Sequence, residues 1–210
     1  MPIAGYHRTP ERMTMSHRTK DLPELDGLPH LIRELRYHEA SRQALAFVLI
    51  AFFAAVGVAT PLSLAVGTAI VLLGTAVRLY ASGYILKNQE LATSGPYGFV
   101  RHPLYTGNLL IIIGFSVASA IWWTAIVAIA FFWFYYPTAI EYEDRKLHRI
   151  FGERWETWAE RVPALVPRRL GLSSLGKASW SLAKSYRENG EPIIVLYILF
   201  WLAYLAWPLM

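Results

Sequence analysis

The sequence contains no cysteine among its 210 residues. That excludes a thiol nucleophile, a thiolate-bound metal and a disulfide-stapled secreted scaffold. Charge is scarce, at 17% of residues, where a soluble domain carries about 25%. Gly-x-Gly occurs nowhere, which removes the dinucleotide fingerprint and the Gly-rich nucleotide loops of soluble enzymes. Gly-x-Ser-x-Gly and His-Glu-x-x-His are also missing, so a hydrolase or zinc protease has no visible nucleophile or ligand set. The four N-terminal histidines lack ligand spacing, and no metal site is expected.

What is there is apolar. Hydrophobic residues make up 55% of the chain, and they are concentrated. Gln43–Val77 and Pro103–Ile140 are free of charge for 35 and 38 residues, and so is everything from Pro192 onward. A helix needs about 20 apolar residues to cross a bilayer core. The fold expected is therefore all-α: a polytopic helical membrane protein with about five transmembrane helices.

Pro61 lacks an N–H and disfavours helix at the residue before it, so the first run breaks there. This predicts spans at 44–60 and 62–86. The second run turns near Ser119-Ala120-Ile121, giving spans at 104–120 and 121–140. A fifth covers 192–209, where Trp201, Tyr204 and Trp207 suit an interfacial belt. Residues 1–41 are polar, without the apolar stretch of a signal peptide, and are expected as a mobile tail with a helix within Leu31–Arg42. Residues 42–191 then form the core and 192–210 a C-terminal span.

Seven of the 20 Lys and Arg precede the first span, two lie between spans two and three, and ten between spans four and five. The loops near 60 and 120 carry no charge. Positive residues mark the cytoplasmic side, which predicts a cytoplasmic N-terminus and an opposite C-terminus. The net charge of +5 then reflects topology and anionic headgroups rather than nucleic acid.

Three clusters and one lone residue carry chemistry. Ser94-Gly95-Pro96-Tyr97 is a turn, and Pro103 can open a helix because its first turn needs no N–H there. Arg101 and His102 then stand at a helix N-terminus, where amides, dipole and cation together suit an anion; the plain alternative is a membrane-interface anchor. Glu141, Glu143 and Asp144 repel one another, and Arg145, Lys146 and Arg149 or a bound cation can compensate. Antiparallel packing of spans three and four would bring 101–105 and 141–144 to one face, a pairing suited to a zwitterionic ligand. Trp155, Trp158 and Val162 recur at helical spacing, fitting an interfacial helix or a lid. Arg78 lies inside a span and needs a cavity, a partner or the interface.

The runs Glu90-Leu91-Ala92-Thr93-Ser94-Gly95-Pro96-Tyr97 and Arg101-His102-Pro103-Leu104-Tyr105-Thr106-Gly107 resemble the isoprenylcysteine carboxyl methyltransferase family. Glu143-Asp144-Arg145-Lys146-Leu147, Phe151-Gly152, Trp155, Trp158 and Val162 to Pro167 continue the likeness in order. It covers Arg78 to Pro167. The resemblance implies an S-adenosylmethionine-dependent methyltransferase with a lipophilic or lipid acceptor. By carry-over, Gln89, Glu90, Leu91, Ala92 and Tyr97 would line the cofactor pocket. His102 and Tyr105 would hold the methionine or ribose portion, with Arg101 beside them for the carboxylate. Glu143 and Asp144 would face the cationic end. His102 or Glu143 would serve as base for an amine or alcohol acceptor, whereas a carboxylate needs none. Ala139 stands where the eukaryotic enzymes carry an Arg for the substrate carboxylate, so Arg145, Lys146 or Arg78 would take that part, with Trp155 near the substrate. The Arg-His-Pro-x-Tyr pattern alone also occurs in phospholipid N-methyltransferases and membrane sterol reductases that use NADPH. These, and a non-catalytic lipid-binding protein, are the alternatives at this point.

Overall fold

The computed structural model describes residues 18–84, 90–168, 180–188 and 190–210. Eight α-helices occur among them: α1 (Gly27–Tyr37), α2 (Glu39–Val56), α3 (Pro61–Ser82), α4 (Pro103–Ser119), α5 (Trp122–Phe151), α6 (Glu153–Ala159), α7 (Leu182–Glu188) and α8 (Glu191–Ala206). No strand occurs among the described residues. Helices α2, α3, α5 and α8 with its terminal turn are long and apolar enough to cross a membrane. Helix α4, with 17 residues, is shorter. It lies at the centre of the bundle, where Ile111, Ile112, Phe115 and Ala118 are buried against protein rather than lipid.

Both predicted turns have local chemical causes. Thr60 caps α3 by accepting from the Ser63 amide at 3.1 Å, and Ser63 returns a bond to the Thr60 amide. Pro61 fills the first position, which has no hydrogen bond to lose. At the other turn Ala120 takes the left-handed conformation, φ 56°, ending α4. Ser119 and Thr124 hydroxyls then stitch α4 to α5.

Helices α3 and α4 run antiparallel and pack most closely. Gly67 faces Gly114 and Ala118, and Gly74 faces Gly107. A Cβ added at Gly67 would stand 2.5 Å from the Ala118 amide nitrogen, so only glycine allows this approach. Small residues at such a seam are the usual means of bringing two membrane helices together. On the far side α8 runs beside α2, with the Tyr197 hydroxyl donating to the Phe47 carbonyl at 2.7 Å.

Three expectations change. Helix α5 does not end at 140 but continues to Phe151. Thirty residues at about 1.5 Å each give about 45 Å, more than the roughly 30 Å bilayer core, so its last turns, with Glu143 and Asp144, stand beyond the span. The tail expected through residue 41 is, from Arg18 on, part of the folded body. Helix α1 packs on α5: the Arg36 carbonyl accepts from Thr138, and the Tyr37 hydroxyl donates to Glu141 at 3.0 Å. His38 breaks the chain between α1 and α2, so the helix expected over Leu31–Arg42 is two helices.

Candidate active site

The N-terminal ends of α2, α4 and α8 and the C-terminal ends of α3 and α5 meet at one end of the bundle. A cavity of about 730 Å³ opens there. Its polar rim includes Glu90, Arg101, His102 and Glu143, and its depth is walled by Ile50, Ile111, Ile112, Ile194 and Ile198. Leu91, Ala92, Tyr97 and Trp158 form an apolar shelf between them.

Arg101 and His102 come together with Asp144 across the α4–α5 pair, as antiparallel packing requires. Arg101 donates Nη2 and Nε to Asp144 at 2.8 and 3.3 Å, and Nη1 to the carbonyls of Val162 and Ala159. His102 is buried, with Nε2 3.0 Å from Asp144 Oδ1. An ionised carboxylate only accepts, so Nε2 carries the proton. Burial works against the Asp144 charge, and the bonds from His102 and Arg101 outweigh it. They hold the carboxyl below its ordinary range.

This corrects one expectation. The anion site anticipated at the start of α4 is occupied by the chain itself. Asp144 takes the two side chains, and the amides of Arg101 and His102 donate to the carbonyls of Pro163 and Ala164 at 2.8 and 3.0 Å. Thr106 fastens the same strap through Leu165. The arrangement is a clasp of hydrogen bonds that ties the turn before α4 to residues 144 and 159–165, rather than a bare receptor. His102 Nε2 is likewise engaged by Asp144.

Glu143 behaves differently. It accepts from the Tyr105 hydroxyl at 2.7 Å and lines the cavity, so a carboxylate faces the interior from an anchored position. The His102 ring stacks on Tyr105 at 5.5 Å, linking clasp and carboxylate. Tyr97 is buried beneath, its carbonyl accepting from the Trp158 indole at 3.2 Å. Burial, reinforced by the Glu143 charge, pushes the Tyr97 phenol well above its ordinary range, so it stays neutral.

Of the other predicted site residues, Glu90, Leu91, Ala92 and Arg78 line the cavity, and Gln89 lies outside the described residues. Asp144 stands behind the wall. Arg145 turns away toward Glu141, 3.7 Å, and the Tyr37 ring. Trp155 backs Arg101 rather than facing the cavity. Arg78 is 9% exposed and its partner is Glu191, 1% exposed: Nη2 and Nε meet the two carboxylate oxygens at 2.6 and 3.2 Å, while Nη1 reaches Asn108. Arg78 is therefore a buried tie between α3 and α8 as well as cavity wall. Glu191, Asn108 and Arg42 were not singled out by the sequence reading. The uncompensated charge of Arg78 was the available signal for Glu191.

A family model described as phospholipid methyltransferase matches residues 49–154. The cobalt-zinc-cadmium resistance protein CzcN of Cupriavidus metallidurans is 42% identical over 134 residues, covering 62% of this chain and 60% of that protein. Protein-S-isoprenylcysteine O-methyltransferase B of Arabidopsis thaliana is 33% identical over 81 residues, covering 39% of this chain and 41% of that protein. Methanethiol S-methyltransferase of Crocosphaera subtropica is 33% identical over 84 residues, covering 37% and 29%. The chain thus spans no more than three-fifths of the length of these relatives. No solved structure matches it. Helix α5 with its Glu143–Asp144 pair and helix α4 with Arg101 and His102 before it fall inside the family match, and on that match the chain belongs to the phospholipid methyltransferase family.

Proposed function

We propose that this protein transfers a methyl group from S-adenosylmethionine to a lipophilic acceptor at the cytoplasmic face of the membrane. The single observation that carries the reading is Glu143, a carboxylate held by Tyr105 and facing a cavity that is polar at its rim and apolar in its depth.

The residues present fit the cofactor. Its cationic ammonium and sulfonium match Glu143 and Glu90, and its adenine matches the shelf of Leu91, Ala92 and Tyr97. A cavity of about 730 Å³ lies within the range of roughly 300–1,000 Å³ usual for such ligands. When bound, the cofactor supplies a methyl carbon made electrophilic by a cationic sulfur. Glu143 orients that cation, Tyr105 fixes Glu143, and the Asp144 clasp keeps Tyr105 and the Tyr97 turn in place. The chain's work is mainly alignment, which can contribute roughly 7–11 kcal/mol to a two-reactant step. A carboxylate acceptor is already nucleophilic and needs no base from the protein. Ile50, Ile194 and Ile198 offer an apolar wall for the acceptor's chain.

The test is equilibrium binding of S-adenosylhomocysteine to the purified full chain, followed by methyl transfer from the labelled donor to a lipid extract. Saturable binding that Glu143→Gln weakens supports the reading. No binding, together with thermal protection by NADPH, overturns it in favour of a reductase.

A further inference from the structure

Four guanidinium groups line the cavity, in very different states: Arg18 pairs with Glu39. Arg101 is saturated by Asp144 and two carbonyls, and Arg78 by Glu191 and Asn108. Arg42, near the start of α2, is 6% exposed and lines the same cavity, yet its Nη1 is buried with no hydrogen-bond acceptor. Its guanidinium lies over the rings of Tyr105 at 5.3 Å and Tyr136 at 5.7 Å. Ring faces support the cation but accept no strong hydrogen bond. A buried charged donor left unpaired is costly, and polar groups in that position are normally satisfied.

We propose that Arg42 is the cavity's carboxylate receptor: it binds the carboxylate of a ligand seated against Tyr105. Three features lead to this chemistry. The guanidinium is planar and matches a carboxylate with two parallel N–H bonds. The anion site at the start of α4, the obvious rival, is filled by Asp144 and the 163–164 carbonyls. And Arg42 lies over the ring of Tyr105, whose hydroxyl holds Glu143, so a carboxylate at Arg42 and a cation at Glu143 would both lie beside one tyrosine. Two ligands of the proposed reaction bear a carboxylate, the methyl donor through its amino-acid end and an acidic acceptor through its nucleophile. The inference rests on the methyltransferase reading, and the α2 wall beyond Arg42, Ala46, Phe47 and Ile50, is apolar enough for either.

Binding to the full chain in nanodiscs separates the possibilities. Three probes are compared near neutral pH: S-adenosylhomocysteine, methylthioadenosine, which lacks the amino-acid carboxylate, and dodecanoate in the presence of saturating S-adenosylhomocysteine. Arg42→Gln should weaken at least one carboxylate probe by roughly 10- to 100-fold, the range for a lost hydrogen bond to a charged group. Arg42→Lys should recover part of that loss, and methylthioadenosine should be unchanged. Loss confined to S-adenosylhomocysteine assigns the receptor to the donor, and loss confined to dodecanoate assigns it to the acceptor. The proposal is overturned if Arg42→Gln binds both carboxylate probes as wild type does, or weakens methylthioadenosine equally. Failure of wild type to bind S-adenosylhomocysteine at all would instead remove the methyltransferase reading itself, and this proposal with it.

Discussion

Replacing Glu191 with alanine tests how the C-terminal helix is held. Glu191 is 1% exposed and gives both oxygens to Arg78, itself 9% exposed. Truncating Glu191 leaves the guanidinium buried with Asn108 as its remaining partner. Breaking one side of such a pair costs about 3–5 kcal/mol, because the stranded charge loses both water and counter-ion. For a chain of this size each kcal/mol moves the midpoint by about 2–4 °C, so the expected loss is roughly 6–20 °C. The Asn108 contact favours the lower half of that range. The assay is thermal unfolding of the detergent-purified full chain, followed by size-exclusion fluorescence. A paired variant, Arg78→Met with Glu191→Leu, decides the cause. Replacing both charges with apolar groups of similar volume is often neutral, so the double variant should regain most of the loss. If the double variant is as unstable as Glu191→Ala, the pair is not what α8 depends on and the reasoning fails.

Tyr105→Phe removes the donor that anchors Glu143, and should weaken S-adenosylhomocysteine roughly tenfold by calorimetry while leaving the unfolding midpoint nearly unchanged. Asp144→Asn should destabilise the clasp in a pH-dependent way. The folded-state carboxyl of Asp144 is depressed, so its contribution is present above the ordinary carboxylate value, about 3.9, and is lost as pH falls below that. The midpoint difference between wild type and Asp144→Asn should therefore be full at neutral pH and shrink through the acid range; a constant difference would refute the ionic account. Gly67→Ala places a Cβ 2.5 Å from two backbone atoms of α4, and should cost about 1–3 kcal/mol of stability through overpacking. Ser63→Ala, which only weakens a cap on the same helix, is the milder comparison, at about 1 kcal/mol.

Much of this protein is legible along one dimension. The charge-free runs locate the membrane helices, and Pro61 and Ser119–Ile121 locate the turns, because both signals are properties of neighbouring residues. The convergence of 101–105 with 141–144 follows from a short turn between two apolar helices. Helix α1 was also there to be read: Leu28, Leu31, Ile32 and Leu35 recur at helical spacing, although the polar composition around them suggested a tail. The helical continuation of α5 past Ile140 was harder, since Glu141 to Asp144 look like the end of a span by hydropathy.

The sequence by itself determined an all-helical membrane architecture and a methyltransferase-like set of motifs. Lipid requires backbone hydrogen bonds to be made within each segment, and those motifs are contiguous. Only the tertiary structure decided which charges meet. Asp144 satisfies Arg101 and His102, Glu191 reaches Arg78 from 113 residues away, and Arg42 keeps a buried donor unpaired beside Tyr105. Such pairings depend on the register and spacing of separate helices to within an ångström or so. In a poorly solvated interior that is the margin between a neutralised charge and one ready for a ligand.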